Sequence, residues 1–174
     1  MDYILETQRL RLRQFNADDA GFIVKLLNTK GWLDFIGDKY VHNEDQAVAY
    51  LDSGPISSYK KHGFGVLLVE LKEGAVPIGM CGLLKRDSLP DPDIGFAFLP
   101  EYEGKGYALE SAMATLRYAS ENLQIVKISA ITKADNRKSI RLLQGLGFRF
   151  ISKITFSGAD EGLLLYSNED AIVV

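Results

Sequence analysis

The chain is most informative first for what it has little of. It holds one cysteine, Cys81, and two histidines in 174 residues. A lone cysteine excludes an internal disulfide framework, and two scattered histidines form no recognisable metal cluster, so no metal is expected. Cys81 lies in an apolar segment, which reads as a buried inert thiol rather than a nucleophile. No apolar run reaches the roughly 18 residues a membrane helix needs, and the charged opening MDYILETQRL has no secretory apolar core. An excess of basic charge is also missing: the net charge is −3. That argues against a nucleic-acid backbone binder, which would carry a basic face. Repeats and linker-like stretches are lacking too. With 47% hydrophobic residues, the expectation is one domain over residues 1–174, located in the cytoplasm, with a core of ordinary size.

What is present organises itself around residues 93–119, DIGFAFLPEYEGKGYALESAMATLRYA. Ile94 to Leu99 reads as a strand, and Pro100, which cannot donate to a ladder, stops or splays it. Gly104-Lys105-Gly106 makes a tight turn, followed by a long helix whose apolar stripe is expected at Leu109, Ala112, Met113, Leu116 and Leu123. The first amides of a helix are unpaired and lie at its positive end. Glycines leave them bare, so this strand–turn–helix is an anion cradle suited to phosphate. It is neither a P-loop nor a dinucleotide fingerprint, since both spacings fail.

Elsewhere, TQRLRLRQF alternates, with Leu10 and Leu12 inward and Arg9, Arg11 and Arg13 forming a solvated face. Asn16 reads as a helix N-cap. Residues 28–43 lack periodicity and collect Trp32, Phe35 and Tyr40, which either plug a core edge or form an aromatic substrate wall. A helix from about Glu44 is expected to be interrupted at Gly54-Pro55. Residues 63–71 and 76–84 form a hairpin, and residues 125–131, 148–154 and 162–166 supply further strands. A last helix opens near Asn136 and ends at Gly147. The order predicts an α/β fold: a mixed sheet of six to seven strands with helices on both faces.

Residues 103–108, EGKGYA, resemble the pyrophosphate loop of the GNAT N-acetyltransferases, and Pro100-Glu101-Tyr102 before them resembles the RimJ/RimL-like branch. Glu103 departs from the usual Gln or Arg of that loop. Asn136, Ser139, Leu142, Leu143, Leu146, Gly147 and Phe148 are similar to a second block of the same branch, at its usual distance. The resemblance spans nearly the whole chain and implies a centrally splayed sheet and an acetyl-CoA-dependent N-acetyltransferase. The acceptor would be a primary amine on a peptide or small molecule, the transfer direct within a ternary complex, and the protein a monomer or homodimer. Alternatives are a coenzyme A-binding module without catalysis and a phosphate-binding domain sharing only the glycine turn.

The resemblance also implies site residues. Phe98, Leu99, Glu103, Gly104, Lys105, Gly106, Tyr107, Ala108, Asn136 and Ser139 would hold coenzyme A. Asp93 stands where the family places a carboxylate base, although a turn residue at strand entry fits equally. Its ordinary pKa of about 3.9 would have to rise for that work. Leu143 occupies the place of the family's proton-donating tyrosine, leaving Ser139 as the expected partner of the departing sulfur. Trp32, Phe35, Tyr40 and Tyr166 are candidates for the substrate side.

Overall fold

A computed structural model describes residues 2–155 and 162–169. One sheet of eight strands runs through them in the order β1 (Tyr3–Glu6), β2 (Leu10–Arg13), β3 (Val66–Leu71), β4 (Val76–Leu84), β5 (Asp93–Phe98), β6 (Ser129–Lys133), β8 (Leu163–Ser167) and β7 (Arg149–Ile154). All neighbours are antiparallel except β5 and β6. That parallel pair touches in register only at Asp93 and Ser129, with the Ser129 amide donating to the Pro92 carbonyl at 2.9 Å. Beyond this pin the two strands diverge, so the sheet is forked at its centre. The expected mixed, splayed sheet is present, with eight strands rather than six or seven. β1 is the addition: four residues before the threonine turn pair with β2 through a bulge, too short a run to show alternation.

Alternation sorts the strand side chains onto two faces. One face packs Leu10, Leu12, Leu67, Val69, Ile94 and Phe98 against α5 (Tyr107–Asn122) and α6 (Arg137–Gly145). The other packs Val66, Leu68, Met80 and Leu99 against α1 (Ala20–Leu27), α2 (Lys30–Phe35) and α3 (Glu44–Leu51). Asn16 caps as expected, closing a reciprocal capping box with Asp19 ahead of α1. Its counterpart at Asn136 accepts from the Ser139 amide at 3.1 Å and starts α6.

Three local expectations change. Gly54-Pro55 does not break the helix; α3 widens into a π turn over Asp52–Ile56 and continues as α4 (Ser57–His62). A wider turn relieves the clash that proline makes with the carbonyl four residues back. In α5 the buried residues are Ser111, Ala112, Thr115 and Ala119, while Leu109 and Met113 are exposed. The expected stripe holds at Ala112, Leu116 and Leu123, which are buried in or packed on the core, and fails at Leu109 and Met113; small side chains face the sheet most directly and let the helix lie close to it. The strand expected over 125–131 begins instead at Ser129. Asn168 holds the segment before it, accepting the Ile128 amide at 2.7 Å.

Candidate functional site

β5 ends where the Leu99 amide donates to Ile78 and the Leu99 carbonyl accepts from Tyr102, both at 2.9 Å. Pro100–Tyr102 forms a single 3-10 turn, and the chain reaches α5 through Gly104 and Gly106, both left-handed at φ +71° and +82°. Only glycine adopts such angles without strain. Helix α5 has no side-chain N-cap, and Glu110 is the first residue whose amide bonds back, to the Gly106 carbonyl at 3.0 Å. Among the described residues, nothing accepts from the amides of Gly104, Lys105, Gly106, Tyr107 and Ala108. A Cβ added at Gly104 would meet no atom within 4 Å, and one at Gly106 would meet Arg9 Nη2 at 3.3 Å. The cradle read from the sequence is thus open and lined by free donors. A diphosphate fits this donor set, because its charge and oxygens match converging N–H groups at a helix's positive end.

The fork lies beside it. Because Leu99 bonds toward β4, alternation turns the amides of Phe98 and Phe96 toward the open side facing β6. This corrects one expectation: Leu99 has no amide to offer a ligand, and Phe98 does. Across the fork, α6 presents Asn136 and Ser139. The Asn136 side-chain oxygen is spent on its capping bond. The half-buried Ser139 hydroxyl has no partner among the described residues. Lys138 of α6 reaches back to Glu103 at 2.6 Å, tying the two lips of the opening together.

The remaining expected residues divide. Asp93 sits at the closed end of the fork with its side chain 2% exposed, and Arg86 Nε donates to both of its oxygens at 3.0 Å. Burial pushes the Asp93 carboxyl upward while Arg86 opposes the shift. The net shift is upward, the direction a base would need, while the enclosure and the Arg86 pair also fit a residue that pins the fork. Cys81 is buried with its thiol pushed up to about 11 by burial, as an inert residue should be. Trp32 is a core residue whose indole donates to the Gly37 carbonyl at 3.1 Å, so the substrate-wall expectation does not hold for it. Tyr166 is corrected likewise: it is buried on the α5/α6 face, edge-on to Phe150 at 5.9 Å. Phe35 is half-buried and Tyr40 exposed, in and after α2. The Lys133 ammonium donates to the Asp34 carbonyl at 3.0 Å, which sets the end of α2 over the open end of β6.

Sequence reasoning missed Arg9. It belongs to no strand and was assigned to a solvated face. In the structure its Nε pairs with Glu110 at 2.7 Å, its Nη1 donates to the Lys105 carbonyl at 3.0 Å, and its guanidinium lies over the Tyr107 ring at 4.4 Å. Thr7 and the Arg9 amide bond the same Glu110 carboxylate at 2.6 and 2.9 Å. No local pattern marks contacts that span about a hundred residues of chain.

Comparison with known proteins places these features. The family model described as "Acetyltransferase (GNAT) domain" matches residues 9–149. The chain is 28% identical over 148 residues to the uncharacterized N-acetyltransferase YoaA of Bacillus subtilis, covering 84% of this chain and 82% of that one. Among solved structures, it superposes on an acetyltransferase from Agrobacterium tumefaciens with a TM-score of 0.80 at 24% identity, covering 94% and 92% of the two chains. A ribosomal L7/L12 α-N-protein acetyltransferase, RimL, solved in complex with coenzyme A, gives a TM-score of 0.79 at 17% identity over 95% and 97% of the chains.

Proposed function

The chain belongs to the GNAT acetyltransferase family, and on that premise we propose that it moves an acetyl group from acetyl-CoA to a primary amine by direct transfer in a ternary complex. We assign it to the RimJ/RimL-like branch, with a peptide N-terminus or a small-molecule amine as acceptor. The observation that carries the reading is the set of unpaired amides at residues 104–108 opening onto a forked sheet. The coenzyme A of the RimL structure, whose fold this chain shares, supports the same choice of ligand.

Bound acetyl-CoA would supply an acetyl group already activated as a thioester. The chain's own part is binding and alignment. Amides 104–108 would hold the diphosphate, while the open edge at Phe96 and Phe98 would bond the amide-bearing arm as an added strand. Asn136 offers its side-chain NH₂ from the facing lip. Ser139, on α6, would donate a hydrogen bond from its hydroxyl to the departing sulfur, Leu143 being unable to donate. Fixing two reactants in this way is worth about 7–11 kcal/mol in favourable cases. An α-amine with a pKa near 8 is about one-tenth neutral at pH 7, so alignment can proceed with little help from a base. In this scheme Asp93 fixes the fork and takes no proton. The amine nitrogen bonds the acetyl carbon, the carbon–sulfur bond breaks, and the proton the amine loses passes to the departing thiolate, directly or through solvent, so that coenzyme A leaves as the thiol. The acceptor would approach past Phe35 and Tyr40, near the end of α2.

The test is acetyl-CoA-dependent thiol release against a panel of N-terminal peptides and small amines. Release with at least one acceptor is expected. Tight coenzyme A binding with no release across the panel would replace the enzyme reading with that of a binding module.

A further inference from the structure

The position that GNAT loops usually fill with Gln or Arg is Glu103 here, and its carboxylate is engaged by Lys138. An anion entering the cradle therefore gains no cationic donor from the loop's customary place. Lys105 does not replace it, since its ammonium lies over the Tyr102 ring at 5.5 Å. Arg9, reaching in from the β1–β2 turn, is the cation that the structure brings to the glycines. Three contacts fix its guanidinium, to Glu110, the Lys105 carbonyl and the Tyr107 ring, and its main chain is tied separately where the Lys72 amide donates to the Arg9 carbonyl at 2.9 Å. Those contacts spend Nε and Nη1. They leave Nη2, which has no partner among the described residues and faces Gly106 at the 3.3 Å Cβ distance given above.

We propose that Arg9 is the cationic phosphate ligand of this chain's coenzyme site, donating from Nη2 to an oxygen of the diphosphate. It thereby performs from outside the loop the task that Glu103 cannot. Glu110 and Thr7 act as positioning residues that hold the guanidinium plane against the cradle. The inference rests on the acetyl-CoA reading above. Arginine suits the task because its fork bonds a carbonyl and an anion at once, whereas a lysine ammonium would have to leave one for the other.

Calorimetric titration with coenzyme A, set beside ligand-observed NMR with pantetheine, which lacks the diphosphate, separates the possibilities. A hydrogen bond to a charged group corresponds to roughly a ten- to hundredfold change in affinity. Arg9→Ala should weaken coenzyme A by about that factor, flatten the salt dependence of its binding, and leave pantetheine unchanged. Arg9→Lys should fall between Arg9→Ala and wild type. Equal losses for both ligands would mark Arg9 as a structural strut and overturn the proposal, as would undiminished coenzyme A affinity. A wild-type protein that ignores coenzyme A would overturn the acetyl-CoA reading itself, whereas wild-type binding retained by Arg9→Ala would overturn only the role of Arg9.

Discussion

Arg9 and Arg13 stand four residues apart, at opposite ends of one short stretch of chain, and each pairs with a carboxylate delivered by a helical segment, Glu110 of α5 and Asp19 of the turn before α1. Arg13 is interior: its side chain is 7% exposed, it bonds Asp19 through two nitrogens at 2.8 and 2.9 Å, and it pairs with Glu70 at 2.9 Å. Hydrogen bonding to the Asp19 carboxylate holds it charged well beyond the ordinary arginine range, against the opposing effect of burial. Arg9 has a side chain 43% exposed and keeps one nitrogen unspent. A buried charge must be fully partnered, whereas one at a ligand cleft gains by being incompletely so. The contrast predicts which arginine serves the fold and which serves the site.

The largest test of that contrast is Arg13→Ala. It strands two buried carboxylates, Asp19 and Glu70, one of which already has an unpartnered oxygen, Glu70 Oε2. Removing one member of a buried pair costs about 3–5 kcal/mol. Urea unfolding should show that loss for Arg13→Ala and less than about 1 kcal/mol for Arg9→Ala, as for a surface pair. Comparable losses would erase the distinction. Next comes Gly106→Glu, which adds bulk and negative charge to the cradle where a Cβ would meet Arg9 and strains a left-handed position. Coenzyme A affinity should fall more than about hundredfold, a loss of about 2.7 kcal/mol, with the fold retained. Affinity within a few-fold of wild type would remove the loop from the site.

These two arginines also show where the sequence could be read and where it could not. Signals carried within a few residues survived: the Asn16 and Asn136 caps, the β3–β4 hairpin, the glycine turn, and the break after β5. The fork followed from family resemblance, and the structure gives it a cause in the single register pair Asp93–Ser129. What failed was anything set by partners distant in the chain. Strict alternation put Arg9, Arg11 and Arg13 on one wet face, but Asp19 and Glu70 bury Arg13, and Glu110 draws Arg9 to α5. The α5 stripe is right at Ala112, Leu116 and Leu123 but wrong at Leu109 and Met113, because helix period rewards large apolar residues while close approach to the sheet also selects Ser111, Thr115 and Ala119. Trp32 was ambiguous because a ring in an aperiodic segment plugs a core or lines a cleft with the same local pattern.

A smaller effect sharpens the comparison through pH. Burial by itself would raise the Glu110 carboxyl, but hydrogen bonds from Thr7, the Arg9 amide and the Arg9 guanidinium outweigh it, and the net shift is downward. A carboxyl lowered on folding contributes stability that is complete above its ordinary value, 4.5, and is lost as pH falls through the folded value. Below that window the Arg9 strut is released. The melting temperature of wild type should therefore decline more steeply on acidification below about pH 4.5 than that of Glu110→Gln, which keeps the shape without the charge. Parallel declines would mean that the strut carries no linkage.

The smallest effect belongs to Arg11, which lies between the other two and does neither task. Its guanidinium sits over Tyr3 at 4.9 Å and 3.5 Å from Glu6, while its Nε is buried without a hydrogen-bond partner among the described residues. Both features belong to one atom, since the 3.5 Å contact to Glu6 is made by Nε itself, too long for a full hydrogen bond, and a partly exposed ion pair of this kind is worth about 0–1 kcal/mol. Glu6 also keeps Lys72 at 3.1 Å, so removing Arg11 strands no carboxylate. Arg11→Met keeps most of the aliphatic stem against Tyr3 and deletes the weakly paired donor. Unfolding stability should move by less than about 0.5 kcal/mol, and coenzyme A affinity should not move. A loss on the scale of Arg13 would mean that burial is not what separates the three arginines, and a loss of affinity on the scale of Arg9 would mean that the site draws on charge from the whole strand.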